Sequence, residues 1–521
     1  MMIYKDLIGD MKGIVFERED EVYIKIDSSG FNRVCLELHK KLRSPIMAYF
    51  AVDERKENGV FKIYCSFIGI EYKKWFFIMM DIPGDKPLFD SLSKEIHSAN
   101  LFEREMKEMF GIDTAGNPDS RRLRLHDEVW PKRAYPLRKD FTGKAIDAKE
   151  DKRYEFKKVE GEGVFEVPVG PVHAGIIGPG HFRFSVAGEP IINLETRLGY
   201  THRGVEKIFE GKAMEDALDI AECVSGDSVF SHSLAFSMAV EKICDMKISG
   251  SFQYLRAALL ELERMYNHVN DIGGMALDVG FTYPAAYASL IKESLLVLNK
   301  RLTGHRYLKG INAIGGFRKR FTKNEKLVLN DSLKAILNDF NELKKMLMSS
   351  ISFMDRVDSA GILRKKTAED MGVIGLAGRA SGIAMDMRNH FSSIYDGIKF
   401  DRIKQAKGDV LARLNMRFDE FEESVKIIRQ CMEKCESENP VEQAVKTVGK
   451  EGFGLGYIEG WRGPVLYWLK LGDTGVIERC KIVDPSFHNW QGLSYAVLGN
   501  IIPDFPLCNK SFDLSYSGND L

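Results

Sequence analysis

The chain has 521 residues, 44% hydrophobic and 29% charged, enough for two or more domains with cores of their own. Its 74 Lys and Arg against 75 Asp and Glu leave a net charge of −1, which argues against a nucleic-acid partner and against a polyacidic surface. The longest apolar runs, at 75–80 and 234–240, fall well short of the roughly 18–20 residues that cross a bilayer, and the N-terminal MMIYKDLIGDMKG has acidic residues where a signal peptide needs an apolar core. The expected location is therefore cytoplasmic, with any membrane contact made through partners.

Over the first 100 or so residues, runs rich in Val, Ile, Tyr and Phe at 21–27, 46–52, 60–70 and 74–82 alternate with Gly, Asn or Asp and predict strands. A helical pattern follows at 90–110. Residues 143–163 are highly charged and hold Gly143, Gly161 and Gly163, which predicts a linker between a domain at 1–142 and a second at 164–521. Short strand-like pieces at 164–198 open the second domain, and the pattern from 204 to 435 is mainly helical. Apolar positions 255, 258, 259, 262, 265, 266 and 269 share one helix face; Leu333, Ile336, Phe340, Leu343 and Leu347 do the same, as do Leu411, Leu414, Phe418, Phe421, Val425, Ile428 and Met432. These stripes predict packing seams of a helical bundle. From Gly452 onward the pattern predicts Gly-rich turns and short strands. The fold class expected is α+β.

Eight cysteines stand at 35, 65, 223, 244, 431, 435, 480 and 508, and none forms a CxxC pair. Cys431 and Cys435 fall on one side of a helix with no further ligand nearby, so buried thiols in a reducing compartment are expected, and neither a metal site nor an iron–sulfur ligand set.

Two blocks of motifs carry a resemblance. The first is Phe102-Glu-Arg-Glu-Met-Lys-Glu-Met-Phe-Gly-Ile112, then Pro118-Asp-Ser-Arg-Arg-Leu123 and Tyr135-Pro-Leu-Arg-Lys-Asp-Phe141. It is similar to the signature of the small soluble C-type subunit of complex I, where this segment docks on the large quinone-site subunit. The second block comprises Gly170-Pro-Val-His-Ala-Gly-Ile-Ile-Gly-Pro-Gly-His-Phe-Arg-Phe184, Arg197-Leu-Gly-Tyr-Thr-His-Arg-Gly-Val-Glu-Lys207, Arg379-Ala-Ser-Gly-Ile-Ala-Met-Asp386 and Glu459-Gly-Trp-Arg-Gly463. It resembles the D-type subunit of complex I and the large subunits of membrane-bound nickel–iron hydrogenases of the hydrogenase-4 type. The resemblance implies a fused C/D-type subunit: an N-terminal α/β small-subunit-like domain, then a large-subunit-like domain with a central helical bundle and peripheral short strands.

In such hydrogenases four thiolates from two CxxC motifs hold the metals, because soft, charged ligands are what nickel requires there. The matching stretches here are Val224-Ser-Gly-Asp-Ser-Val-Phe-Ser-His-Ser233 and Asp484-Pro-Ser-Phe-His-Asn489, which put Ser225, Ser228, Ser486 and Asn489 at the ligand positions. No metal ligand is therefore expected in the chain, and no cofactor bound by it alone. The resemblance makes a quinone the ligand to test in the cleft. His173 matches the first histidine of the complex I loop, whereas Ile177 and Cys223 stand where the direct headgroup contacts would be, and Gly178 where hydrogenase loops often carry an acid.

Three residues are catalytic candidates. Asp227 lies between the two serines and reads either as a proton relay or as the cap of a helix starting near Ser228. His232 reads as the relay's partner or as a satisfied core histidine. Arg462, in a Gly-rich turn, reads as a ligand for an anion, for a carboxylate such as Asp227, or as structural. The tail from Asn509 to Leu521 carries many hydrogen-bonding side chains and is expected to be retained and packed. The resemblance implies an oxidoreductase subunit, of the NADH-quinone oxidoreductase or hydrogenase type, held peripherally on the cytoplasmic side of the cell membrane. Its implied partners are an iron–sulfur small subunit of the B-like kind found in complex I, a ferredoxin-like subunit and integral membrane subunits. Its role would be electron or proton transfer in the cleft; the alternative is a scaffold coupling a redox module to ion-translocating subunits.

Overall fold

The computed structural model describes residues 14–143, 153–174, 177–391, 393–435 and 451–521. Of the expected linker, 144–152 lie outside the described residues. The N-terminal strands form one mixed sheet in the order Ile14–Glu17, Glu21–Lys25, Lys74–Pro83, Val60–Gly69, Ala48–Glu54. Only the pairing of Glu21–Lys25 with Lys74–Pro83, Glu21 opposite Trp75, is parallel within it. The chain leaves Glu21–Lys25 through a helix not expected from the sequence, Ser28–Leu42, which carries it across to Ala48–Glu54 at the far edge; its buried Phe31, Val34, Cys35 and Leu38 keep helical spacing. The helix expected at 90–110 is shorter, Ala99–Phe110, because Leu88–Asp90 pairs as a strand with Asp113–Ala115.

The second part opens with an antiparallel sheet, Val164–Val169, His181–Ala187 and Ile191–Arg197. Four long helices, Gly250–Asp278, Thr282–Thr303, Lys323–Met348 and Val410–Lys434, pack as a bundle on the three expected stripes. Every stripe residue among Leu333, Ile336, Phe340, Leu343 and Leu347 is buried, and Phe340 stacks on Phe421 with centroids 3.6 Å apart. Among the described residues no helix is long and apolar enough to cross a membrane.

After Gly452 come three antiparallel strands, Gly452–Glu459, Pro464–Leu471 and Ile477–Val483. The rest departs from the expected strands and is helical. Asp484 caps the helix Pro485–Ala496, accepting from the Ser486 amide at 2.7 Å with Pro485 in its first turn, a helix-start signal.

This three-stranded sheet is buried on both faces and contributes side chains to two hydrophobic cores. Val465, Tyr467 and Leu469 face the helical core, while Leu466 and Trp468 join the core of the N-terminal sheet. Trp468 packs on Phe50 and Tyr64, 5.1 Å from each, and its Nε1 donates to Tyr23 Oη. The other face lies so close to the helix Val229–Ile243 that a Cβ on Gly456 would sit 1.9 Å from the Ala235 carbonyl oxygen. That contact sets the height of the hairpin turn carrying Trp461 and Arg462.

Candidate functional site

A cleft of about 480 Å³ opens among the 224–228 loop, the 460–463 hairpin turn, the helices Gly250–Asp278 and Thr282–Thr303 and the C-terminal tail. Asp227, Arg462, Lys292, Lys510 and Asp513 line it. Asp227 accepts bidentate hydrogen bonds from Arg462 Nη1 at 2.9 Å and Nη2 at 2.6 Å, and Oδ1 also takes the hydroxyls of Ser225 and Ser228 at 2.8 and 3.1 Å. Burial raises the Asp227 carboxyl, but the Arg462 charge outweighs it and holds the group below the usual carboxylate range. Burial likewise disfavours the Arg462 charge, and Asp227 and Asp513 more than restore it. The guanidinium also stacks over Trp461 at 3.9 Å and donates from Nε to the Asp513 carbonyl.

The helix-cap reading of Asp227 is corrected. Ser228 is the cap residue of Val229–Ile243 and makes no side-chain cap bond. The free amides of Phe230 and Ser231 are taken by Glu263, at 2.7 and 3.0 Å, together with the Ser231 hydroxyl. A carboxylate from the neighbouring helix thus does the capping, which leaves Asp227 to face the cleft. Burial pushes Glu263 up to about 7 in spite of these donors.

His232 does not meet Asp227. It is fully buried, with Nε2 3.1 Å from Asp484 Oδ2 and Nδ1 2.9 Å from Tyr467 Oη. Both ring nitrogens are thereby hydrogen-bonded. Asp484 ties this pair to the tail, because Gly518 passes so close that a Cβ there would lie 2.5 Å from its Oδ2. His173 does not line the cleft; its Nε2 donates to the Gly180 carbonyl at 2.7 Å and braces the loop.

The four substituted positions hold hydrogen bonds within the protein. Ser225 Oγ is 2.8 Å from Ser515 Oγ, Ser486 Oγ accepts from the Ser515 amide, Trp461 Nε1 donates to Ser228 Oγ, and Asn489 exchanges two bonds with the Ile374 backbone. The tail is packed: Asp520 and Leu521 are buried, and Asp513 joins both Lys510 and Arg462. Among the described residues no three His, Cys, Asp or Glu side chains cluster as a metal would require.

A second layer was missed from the sequence. Asp271, buried under the cleft, takes Arg417 at 2.8 Å on Oδ2, and its carboxyl lies beside that of Asp513. Burial and the Asp513 charge push Asp271 up, while Lys510 and Arg462 hold Asp513 low against its own burial. Glu263, Asn267 and Asp271 stand four apart on one helix, a polar ladder beside its apolar stripe. The motif residues Arg379 and Glu459 lie elsewhere, in a buried ionic cluster around Glu420, 2.5 Å from each other.

Residues 24–146 match the family of the respiratory-chain NADH dehydrogenase 30-kDa subunit, and residues 278–451 that of its 49-kDa subunit. The chain is similar to formate hydrogenlyase subunit 5 of Escherichia coli K12, 30% identical over 97% of this chain and 90% of the relative. It is 29% identical to hydrogenase-4 component G of the same organism, over 90% and 83%. The C/D subunit of the NADH-quinone oxidoreductase of Bacteroides thetaiotaomicron is 28% identical, over 73% and 75%.

Proposed function

The chain belongs to the family that joins the 30-kDa and 49-kDa subunits of respiratory-chain NADH dehydrogenase in one oxidoreductase subunit, and from that premise we propose that it works in a membrane-associated complex without a nickel–iron centre, its cleft handling protons and an electron acceptor. The observation that carries this reading is the Asp227–Arg462 ion pair, bonded to Ser225 and Ser228 at two of the positions where hydrogenases place thiolates. Three hydroxyls and an amide, all engaged in hydrogen bonds, do not fit a metal pair that needs four charged sulfurs.

A quinone headgroup does suit the cleft's donor set. Lys292 and Lys510 offer donors for its oxygens, and Tyr307, Leu514 and Tyr516 offer ring and aliphatic surface. When bound, a quinone takes up electrons and protons; the electrons would come from an iron–sulfur partner on the cytoplasmic side. Arg462 keeps Asp227 ionised, so Asp227 receives or orients a proton. The groups able to hold one near neutral pH are Glu263 and the Asp271–Asp513 pair. His232 acts through Asp484 to position the tail.

The scaffold reading, coupling a redox partner to membrane ion-translocating subunits, is favoured by one fact: hydrogen bonds already engage both oxygens of Asp227. Nickel analysis and hydrogen uptake on the purified complex test the first claim, since stoichiometric nickel with activity would overturn it. A quinone analogue should bind saturably to the wild-type complex and about tenfold more weakly to Lys292→Met, which removes one charged donor to its oxygens. Absence of saturable binding to the wild type would leave the scaffold.

A further inference from the structure

Six charged side chains line the cleft: Asp227, Asp278 and Asp513 against Lys292, Lys510 and Arg462. Two of the three cations are tied to carboxylates. Arg462 meets Asp227 at 2.6 Å and Asp513 at 3.5 Å, and Lys510 meets Asp513 at 2.8 Å. Lys292, on the helix Thr282–Thr303, has no ion-pair partner among the described residues; its Nζ donates to Asn270 Oδ1 at 2.8 Å. An ammonium carries three donors, so this one neutral acceptor leaves it two for the cleft.

The same division appears in how firmly each cation holds its proton. Burial disfavours the charge of Lys510, but Asp513 outweighs it and raises the group above the ordinary lysine range. Arg462 is raised in the same way. Lys292 is lowered by burial, and Asp271, Asp513 and Asp227 do not make up the loss, with Lys510 adding to it.

The other groups of the site compare as follows as proton donors. Arg462 holds Asp227 ionised, and Asp513 is low as well, so neither has a proton to give. Tyr516 is pushed up to about 12 by burial and keeps its own. Glu263 and Asp271 are fully buried behind the cleft wall. The rival is Asp278, whose carboxyl burial raises.

We propose that Lys292 is the group that hands a proton to the electron acceptor in the cleft. The inference rests on the acceptor reading given above. As two electrons arrive from the iron–sulfur partner, an N–H bond of Lys292 breaks and an O–H bond forms at one quinone oxygen. The amine left behind takes a proton from solvent, and solvent also supplies the second proton, to the other oxygen. A lysine destabilised as a cation suits this step, because a general acid works best when it releases its proton near the working pH. A guanidinium cannot replace it, since arginine does not lose its proton in proteins.

The test runs the step backwards on the purified complex, with Lys292 taking the proton. A short-chain ubiquinol is oxidised at saturating concentration with ferricyanide as the electron sink, and only the rate that the quinone analogue blocks is counted. Lys292→Arg keeps the charge and the donors, so it should bind the analogue within about twofold of the wild type yet oxidise the quinol about a hundredfold more slowly. A lysine that only binds would be rescued by arginine. Should the longer side chain not fit, Lys292→Ala supplies the second reading: methylamine in the buffer should raise its rate about tenfold. The proposal is overturned if Lys292→Arg keeps the wild-type rate, if methylamine gives Lys292→Ala no recovery, or if the hundredfold loss falls on Asp278→Asn instead. It is also overturned if the wild type binds the analogue but shows no analogue-blocked oxidation. Absence of analogue binding to the wild type refutes the acceptor reading itself, and the inference with it.

Discussion

Asp227→Asn keeps the shape of the side chain and removes its charge, so it isolates what the ion pair with Arg462 contributes. The Arg462 side chain is 5% exposed and that of Asp227 38%. Breaking one side of a fully buried pair costs about 3–5 kcal/mol, while an exposed pair is worth about 0–1. Here the cation is buried, the anion is more than a third exposed, and Asp513 remains 3.5 Å from Arg462 Nη2 as a second counter-charge. The loss should therefore fall between the two ranges, at about 2 kcal/mol. A double-mutant cycle with Arg462→Met, read by urea unfolding of the four proteins near pH 7.5, should return a coupling energy of about 2 kcal/mol. A coupling under about 0.5 kcal/mol would refute the reasoning, since the pair would then behave as two solvated surface groups.

Burial lowers His268 and His488 to about 4. With both depressed below an unfolded value of about 6.5, the unfolded chain binds the protons, and stability falls as pH drops from about 6.5 towards 4. Each histidine should cost about 2 kcal/mol at pH 5 relative to pH 8; His488→Gln should remove its share of that loss, and an unchanged loss in urea-midpoint measurements would contradict the assignment. If Asp271 and Asp513 share one proton, infrared spectroscopy at neutral pH should find a protonated-carboxyl band that disappears in Asp271→Asn; persistence of the full band would place the proton elsewhere. Phe340→Ala, which opens the stacked contact with Phe421 inside the bundle, should destabilise by about 3–5 kcal/mol while leaving quinone-analogue binding unchanged in the folded complex, and weakened binding would mean that the stripe does more than pack.

The elements read best from the sequence were those whose pattern and burial agree. The bundle stripes were legible because burying one face of a helix imposes its 3.6-residue repeat locally. Ser28–Leu42 was missed although Phe31, Val34, Cys35 and Leu38 carry that repeat, because strand-like runs on either side dominated the reading. The helices after Asp484 were missed for a related reason: glycines and aromatics outweighed the Asp-Pro start signal. In the cleft, the types of Asp227 and Arg462 suggested their pairing, and the two meet at 2.6 Å. Nothing local could tell that Glu263 caps the helix after Ser228, since those residues are over thirty positions apart.

What the sequence determined by itself was the family, through ordered motifs, and the residue types at Ser225, Ser228, Ser486 and Asn489, because chemistry at a position is written in its side chain. The tertiary structure decided how those types are used. It turned His232 towards Asp484, set Asp271 beside Asp513, and buried both faces of the Gly452–Val483 sheet. Each outcome depends on contacts between segments remote in the chain, where burial and neighbouring charge set a group's partner and protonation, and no local spacing encodes them.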